Sequence, residues 1–184
     1  MEILNHWLTG KGVVCLPCVK NREKIVGPDM IILHYTAGAS AAGSAFYLAR
    51  PDVKASAHVV IGRRGEVIQL VAFDTQAWHA GESSYEGRSG LNRYSIGIEL
   101  DNLGRLRKEG KRFVAECGVE VPEGEVYVCW DGEEETYWHR YTSRQVAVLQ
   151  ELCQLLGKAY PIRSVVGHSD VTSRKQDPGP ALPF

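Results

Sequence analysis

The sequence predicts an α/β fold in a single domain, which 184 residues are enough to build. The run Met30–Leu33 is apolar at every position, which is typical of a strand buried on both faces of a sheet. A helix of small residues is expected to begin at Ala39–Ser40 and to stop at Pro51. A strongly periodic helix over residues 142–158 precedes a further apolar strand over residues 164–168.

The composition is that of a globular protein, with 44% hydrophobic and 23% charged residues. No run of about 18 apolar residues occurs, so no membrane span is expected. No dense tract of Lys and Arg with interleaved aromatic residues occurs, so nucleic-acid binding is not expected. The net charge is −1, but residues 113–138 contain eight acidic residues and no Lys or Arg. The remaining residues are therefore basic, which suits an anionic substrate and equally suits an ordinary solvated surface.

The N-terminal sequence and the cysteines indicate the compartment. Residues 1–7 lack the basic segment and the long apolar segment of a secretory signal. The five cysteines are an odd number at irregular spacing, which does not suggest a disulfide framework and suits a reducing compartment. We therefore expect a cytoplasmic protein.

Residues 1–28 are interpreted as an N-terminal extension with short edge strands at His6–Leu8 and Val13–Leu16. Cys15 and Cys18 have the C-x-x-C spacing of a redox dithiol or of half a zinc site. No second Cys or His pair follows at a suitable distance, and no helix begins after Cys18. Two unrelated structural thiols are therefore the favoured interpretation.

The middle of the chain predicts a hairpin, a loop and a strand. Two β-branched runs, Ser56–Ile61 and Glu66–Val71, flank a turn that contains glycine. Residues 74–92 are rich in Gly and Ser, and so long a loop in a compact domain is usually functional or disordered. Tyr94–Leu100 predicts a second buried strand. Its carboxylate, Glu99, would be costly there unless it is partnered or faces a cleft.

Residues 103–140 are interpreted as an insertion, with short strands at Phe113–Val114 and Val126–Trp130. The sequence leaves open whether the insertion is a flap beside a cleft or a peripheral hairpin. The helix that follows is capped by Thr142 or Ser143. Its apolar stripe is predicted to consist of Val146, Leu149, Leu152, Cys153 and Leu156.

Polar residues at the ends of two predicted strands form a candidate zinc site. His34 and His168 each end a strand, and ligands of α/β sheets gather at the carboxyl ends of strands. With Asp177 from the following loop they would supply three ligands and leave one position for water. Asp177 would equally suit a turn before proline. Three other residues compete for these positions: Asp170, His58 and His79.

Two further side chains suit hydrolysis at such a site. Glu99, on a third strand, has the chemistry of a general base that passes a proton to a leaving amine. Lys175, two residues from a candidate ligand, supplies a cation that could stabilise a developing oxyanion.

Five segments of the sequence form an ordered set: His34–Gly38, Ser56–Val71, Ala77–Gly81, Ser95–Leu100 and Gly167–Pro180. Taken in this order, they resemble the zinc-dependent N-acetylmuramoyl-L-alanine amidases of the AmpD-like group. This group is related to phage amidase lysozymes and to peptidoglycan recognition proteins. The similarity runs from about residue 29 to the end, apart from the 103–140 insertion. It implies a central mixed β-sheet flanked by α-helices.

The resemblance also implies roles for individual residues. One Zn²⁺ would be bound by His34, His168 and Asp177. Glu99 would be the general base, and Lys175 would correspond to the lysine of the family's Lys-x-Asp motif. The bond cleaved would join the lactyl group of N-acetylmuramic acid, or of its anhydro form, to L-Ala of the stem peptide. Four residues are candidates for contacting this peptidoglycan fragment: Tyr35, His58, His79 and Arg93.

Two alternatives remain open at this point. A phage lysin released to the periplasm or cell wall would also lack a secretory signal, so it competes with a cytoplasmic recycling enzyme. A recognition module that binds muropeptides without cleaving them competes with an enzyme, although every candidate ligand is present. In each case we expect a monomer.

Overall fold

A six-stranded mixed β-sheet forms the centre of the protein, in a computed structural model that describes residues 1–21, 23–25 and 27–183. The helices are α1 (Ala41–Ala49), α2 (Ser143–Ala159) and α3 (His168–Val171), and single 3₁₀ turns span Leu91–Arg93 and Glu123–Glu125. The strands are β1 (Glu2–Leu4), β2 (Trp7–Thr9), β3 (Val13–Cys15), β4 (Met30–Tyr35), β5 (Val59–Ile61), β6 (Val67–Gln69), β7 (Ser84–Tyr85), β8 (Arg88–Ser89), β9 (Ser95–Leu100), β10 (Arg105–Glu109), β11 (Arg112–Ala115), β12 (Glu120–Val121), β13 (Val126–Trp130), β14 (Glu135–His139) and β15 (Ser164–Gly167).

The central sheet has the strand order β15-β4-β9-β5-β6-β3. Every neighbouring pair is parallel except β5 and β6, which form the antiparallel hairpin that the sequence predicts. The side chains of β4 and β9 are almost all buried, as expected for parallel strands covered on both faces. In their register His34 lies beside Glu99 at the carboxyl edge of the sheet. The α/β prediction is therefore confirmed.

Helix α2 covers one face of this sheet. Thr142 caps it, with its hydroxyl oxygen accepting from the Gln145 backbone N–H at 3.1 Å. Leu149, Leu152 and Leu156 are fully buried, as predicted. The other two residues of the predicted stripe, Val146 and Cys153, are only partly buried, although both pack against this core.

Gln145 and Val148 occupy the buried positions instead. The amide nitrogen of Gln145 donates to the carbonyls of Ile61 and Asp101, at 3.0 and 3.1 Å. A buried glutamine is tolerated when its donors are satisfied, so a polar residue occupies a place that hydrophobicity alone assigns to its neighbour.

The last core strand is shorter than predicted, because β15 ends at Gly167. His168 is the first residue of the one-turn helix α3 and not the last residue of a strand. The carboxylate of Asp170 accepts from the Gly167 backbone N–H at 2.7 Å, which stabilises this turn. Asp170 is thereby engaged at the start of α3, while His168 still lies at the carboxyl edge of the sheet.

The 103–140 insertion folds into an antiparallel sheet with the strand order β12-β11-β10-β14-β13. It is neither a simple flap nor a single hairpin, and it has its own small core, to which Leu106, Phe113 and Ala115 contribute. The Trp138 ring packs so closely on Gly179 that a Cβ there would lie 2.6 Å from it. The insertion therefore contacts the loop that carries Asp177.

The N-terminal extension supplies the edges of the fold. The two predicted short edge strands correspond to the β1–β2 hairpin and to β3, which pairs in parallel with β6. Cys15 is exposed and Cys18 is buried, and both are free thiols. None of the helices in the described part of the chain has the length and apolarity that crossing a bilayer requires.

Lys20 holds the segment after α1 in place. Its ammonium lies 2.7–2.8 Å from four backbone carbonyls, those of Leu48, Arg50, Val53 and Ala55. An ammonium has only three protons, so this arrangement resembles the carbonyl cage of a bound cation. The N-terminal extension thereby fixes the loop that returns from α1 toward Ser56.

Replacing Lys20 with methionine is expected to lower the free energy of unfolding by about 1–3 kcal/mol, because three partly buried carbonyls and one exposed carbonyl lose a charged donor. Urea denaturation measures the change. Lys24→Met is the matched control. The Lys24 side chain is 64% exposed, and among the described residues it pairs only with Asp74 and Thr75, so its loss should cost under about 1 kcal/mol. Equal losses of unfolding free energy in the two variants would show that the four carbonyl contacts of Lys20 add no more stability than an exposed ion pair.

Candidate active site

Three side chains converge at the carboxyl edge of the central sheet. His34 comes from the end of β4, His168 from the start of α3, and Asp177 from the loop beyond it. The two Nδ1 atoms lie 3.0 Å apart. Asp177 Oδ2 lies 3.0 Å from His34 Nδ1 and 2.9 Å from His168 Nδ1. All three residues are buried, and they are the one metal-type cluster found among the described residues.

A chain of hydrogen bonds behind His34 determines which of its nitrogens carries the proton. The Ser95 hydroxyl donates to the Leu91 carbonyl at 2.7 Å, so its oxygen accepts from His79 Nε2 at 3.2 Å. His79 Nδ1 is then bare and accepts from His34 Nε2 at 3.0 Å. Burial lowers the pKa of His34 and of His79, so both rings stay neutral. His34 Nδ1 is therefore left with a free lone pair.

His168 is oriented in the same sense. Its Nε2 lies 3.4 Å from the Ala80 carbonyl oxygen, which can only accept, so the proton belongs on Nε2 and Nδ1 is bare. Two nitrogen lone pairs and a carboxylate oxygen then face one another with no proton between them. Such a group repels itself unless a cation lies at its centre, and burial opposes a second proton on His34 by lowering its pKa.

The geometry fits a tetrahedral metal ion. Bonds of about 2.1 Å to nitrogen and oxygen place the ligand atoms of a regular tetrahedron about 3.4 Å apart. The three observed separations are slightly shorter than that, and the donor set is that of catalytic zinc sites, with one position left for water. The cluster of His34, His168 and Asp177 is thus suited to hold Zn²⁺.

Glu99 lies beside these ligands on β9. Its Oε2 is fully buried and has no hydrogen-bond partner within the part of the chain that the structure describes. Burial raises the pKa of Glu99 to about 8, with a further contribution from the charge of Asp177 and opposition from Lys175. A buried carboxylate without a partner is costly, and such groups concentrate at catalytic sites.

A cleft of about 670 Å³ lies over this cluster. Lys175 is exposed and contributes to its wall, as does Tyr35 next to His34. The full lining is His34, Tyr35, Thr36, Ala37, Tyr47, Leu48, Ala55, Ser56, Trp78, His79, Glu99, Glu116, His168, Ser173, Arg174, Lys175, Gln176 and Asp177. The cleft therefore unites the three proposed ligands with both proposed catalytic residues.

The structure places two of the four candidate substrate contacts in the cleft and two outside it. Tyr35 and His79 line the cleft, although both His79 nitrogens already have partners. His58 lies outside the cleft lining and is fully buried, with Nε2 2.9 Å from the Thr75 carbonyl and Nδ1 accepting from the Gly97 backbone N–H. Arg93 is exposed, donates to the Ser89 and Gly90 carbonyls, and also lies outside that lining. Neither His58 nor Arg93 is brought to the substrate side of the site.

Several residues in the cleft, or supporting the residues that line it, escape prediction from the sequence. Ser95 and Asn92 support His79, the first through its side chain and the second by accepting two backbone N–H groups at residues 79 and 80. Trp78 lies in the segment Ala77–Gly81 and directly precedes the candidate residue His79, so the sequence itself draws attention to it. Glu116 belongs to the insertion, and nothing in the sequence brings it to the cleft.

Gly97 gives His79 the space that it occupies. A Cβ at this position would lie 2.3 Å from the imidazole Cγ. Gly97→Ala is expected to displace His79, to cost about 1–3 kcal/mol of stability and to weaken zinc binding through His34. Gly157→Ala, at an exposed position in α2 with open space around it, should instead leave metal binding unchanged. Zinc affinity and urea denaturation measure both; unaltered zinc affinity in Gly97→Ala would contradict the role of His79.

Known proteins are similar to this chain over most of its length. The family model described as N-acetylmuramoyl-L-alanine amidase, Amidase_2, matches residues 22–180. The 1,6-anhydro-N-acetylmuramyl-L-alanine amidase AmpD of Escherichia coli (strain K12) is 28% identical over 202 residues, covering 99% of this chain and 92% of that protein. AmpD of Salmonella typhimurium (strain LT2) is 33% identical over 140 residues, covering 74% of this chain and 57% of that protein.

Solved structures agree with these sequence matches. The crystal structure of a selenomethionine AmpD derivative has a TM-score of 0.70 at 27% identity and covers 98% of this chain and 94% of that one. AmiD from E. coli, in complex with anhydro-N-acetylmuramic acid-L-Ala-D-gamma-Glu-L-Lys, has a TM-score of 0.65 at 28% identity. It covers 86% of this chain and 55% of that one. The chain belongs to the N-acetylmuramoyl-L-alanine amidase family and is an amidase.

Proposed function

We propose that this amidase hydrolyses the amide between the lactyl group of anhydro-N-acetylmuramic acid and L-Ala of the stem peptide, with one Zn²⁺ as cofactor. The observation that carries the proposal is the convergence of three lone pairs, on His34, His168 and Asp177, at the floor of the cleft. The names of the AmpD relatives and the ligand of the AmiD complex support the anhydro form of the substrate. A zinc ion in this position supplies Lewis acidity, which lowers the pKa of water to about 7 and polarises a carbonyl.

Glu99 is the proton carrier of the proposed reaction. As a carboxylate it takes a proton from the attacking water, and it then returns that proton to the amine of L-Ala as the C–N bond breaks. In the metal-free protein the pKa of Glu99 is raised to about 8. A zinc ion held by the neighbouring ligands would lower this pKa and so favour the carboxylate that accepts the proton. Its unpartnered Oε2 leaves one oxygen without a competing hydrogen bond.

Lys175 is the proposed partner of the developing oxyanion. Its side chain is exposed in the wall of the cleft, two residues from Asp177. A positive charge there is stabilising as the carbonyl oxygen becomes negative in the transition state. Trp78, on another wall of the cleft, supplies an apolar surface against which the sugar or the peptide can pack.

Metal analysis together with turnover tests the proposal. Protein purified without chelator should contain one zinc per chain and release the peptide from anhydro-N-acetylmuramyl-L-Ala-γ-D-Glu-L-Lys. Removal of zinc should abolish release, and added zinc should restore it. Unchanged activity after complete removal of zinc would overturn the metal mechanism.

A comparison of substrates tests the proposed cellular role. We place the enzyme in the cytoplasm as a muropeptide-recycling amidase, in keeping with its five free thiols. It should then turn over soluble anhydro-muropeptide much faster than intact sacculi. The opposite preference would favour a lysin that acts on the cell wall.

A further inference from the structure

A second cavity opens from the active-site cleft into the insertion. It measures about 290 Å³ and shares Tyr35, Ala37, Glu116 and Gln176 with the larger cleft. The rest of its lining comes from the start of the insertion, where β10 is the first strand. These residues are Leu103, just before β10, and Arg105, Leu106 and Arg107 on it. A ligand in the cleft can therefore extend into this cavity without leaving the protein surface.

The entrance of the cavity lies next to the proposed metal site. Tyr35 directly follows the ligand His34, and Gln176 directly precedes the ligand Asp177. Adjacent Cα atoms are about 3.8 Å apart, so the entrance is about one residue from the ligands. A peptide bound with its first amide at the metal would reach the cavity with its second or third residue.

The cavity contains charges of both signs. Arg105 and Arg107 are two residues apart on β10, so their side chains leave the same face of the strand. Their partners, Glu134 and Glu109, form exposed ion pairs at 3.3 Å, which a ligand carboxylate can replace at little cost. Glu116 lies at the junction of cavity and cleft.

The stem peptide has matching groups at the right distance. In the peptide L-Ala-D-γ-Glu-L-Lys bound to the related AmiD, the γ linkage leaves the α-carboxylate of the glutamate free. The following lysine carries an amine and, at the end of the chain, a second carboxylate. The carboxylates suit guanidinium groups, which bind them in a bidentate fashion, and the amine suits a carboxylate such as that of Glu116.

We propose that the insertion forms a specificity subsite for the peptide beyond L-Ala, in which Arg105 and Arg107 bind its carboxylates and Glu116 binds the amine of its third residue. This inference rests on the proposed function for the position of the scissile amide. It assigns to the insertion the recognition of an ionised peptide, separate from the chemistry at the metal. Muramyl-L-Ala without further residues should consequently be a poor substrate.

Paired substrates test the arginines. One is anhydro-N-acetylmuramyl-L-Ala-γ-D-Glu-L-Lys, and the other carries isoglutamine, which converts the free α-carboxylate to an amide and leaves the terminal carboxylate. Arg105→Gln and Arg107→Gln should each lower kcat/KM at least about 10-fold on the first substrate, mainly through KM, and at least one of them should have a clearly smaller effect on the second. Arg112→Gln, which removes a charge from the same sheet outside the cavity, should affect neither. Equal losses on both substrates in both cavity variants, or no loss, would overturn the assignment.

Glu116 is tested with a change in the third residue. Glu116→Gln should weaken the lysine-containing substrate and leave unaffected an analogue with norleucine in place of lysine. Equal effects on the two would remove Glu116 from the subsite.

Binding measurements separate this inference from the proposed function. Calorimetric titration of the uncleaved tripeptide substrate and of its isoglutamine analogue into the Glu99→Gln protein reports recognition without turnover. The Arg105→Gln and Arg107→Gln changes, added to that background, should weaken binding of the first ligand, and at least one should weaken the second clearly less. If the unaltered enzyme cleaves neither substrate, the proposed function fails, and the titrations still decide whether the subsite exists.

Discussion

Replacing Glu99 with glutamine is expected to lower kcat by about 10²–10⁴-fold while zinc stays bound. Glutamine keeps the shape and the hydrogen-bonding capacity of the side chain but cannot carry the proton between water and the leaving amine. Peptide release from the anhydro-muropeptide and the zinc content of the purified variant are the two measurements. Loss of zinc along with activity would place Glu99 in the metal site and not in proton transfer.

Stability provides a second readout for Glu99. Its pKa is raised from 4.5 to about 8 in the folded protein, so folding binds a proton and stability falls as the pH rises through that range. In zinc-free protein, Glu99→Gln should make the unfolding free energy less dependent on pH between about 4.5 and 8, with no loss of stability near pH 8. Glu151→Gln, which removes an exposed carboxylate paired with the N-terminus, should retain full activity and the original pH dependence.

Replacing Asp177 with alanine is expected to weaken zinc binding by more than about 100-fold and to abolish turnover at ordinary zinc concentrations. Loss of a residue that merely orients a ligand already costs about 10–100-fold, so loss of a ligand should cost more. The remaining pair, His34 and His168, offers two nitrogen atoms to the metal and no negative charge. Competition with a fluorescent zinc chelator measures the affinity.

Asp170 is the matched control, because it is the other carboxylate of the same segment. It is exposed and its Oδ2 accepts from the Gly167 backbone N–H, outside the metal cluster. Asp170→Asn should retain one zinc per chain and near-normal activity. If instead Asp170→Asn loses the metal and Asp177→Ala keeps it, the proposed ligand set is wrong.

The buried strands and the helices were predictable because their patterns are local. The apolar run before His34 and the strand that carries Glu99 both lie in the core where the sequence places them. The error at α2 has a physical cause: Gln145 is buried because its amide caps two backbone carbonyls, a role that hydrophobicity cannot report. The end of β15 moved by one residue because the Asp170 carboxylate stabilises a helical turn at His168.

The convergence of the three candidate ligands was predictable from the sequence, whereas the residues around them were less so. His34, His168 and Asp177 meet as expected, because strand ends at one edge of a parallel sheet are close together. The supporting role of His79 depends on the Ser95 hydroxyl and on the space above Gly97, which are contacts between segments distant in sequence. The cleft residues from the insertion depend on how a separate sheet docks, and local patterns contain no information about docking.

The contact between the insertion and the Asp177 loop couples unfolding of the insertion sheet to release of the proposed metal ion. Trp138 covers Gly179, and the Tyr141 hydroxyl donates to the Pro178 carbonyl at 2.7 Å, so the loop is held from the side of the insertion. From the other side, the Ser169 backbone N–H donates to the Asp177 carbonyl at 2.9 Å. Proteins open locally in cooperative units, and a fluctuation that unfolds the small insertion sheet would free one side of this loop. Amide hydrogen exchange in β14 and the rate at which zinc leaves the protein should therefore rise together when the small core around Phe113 is weakened.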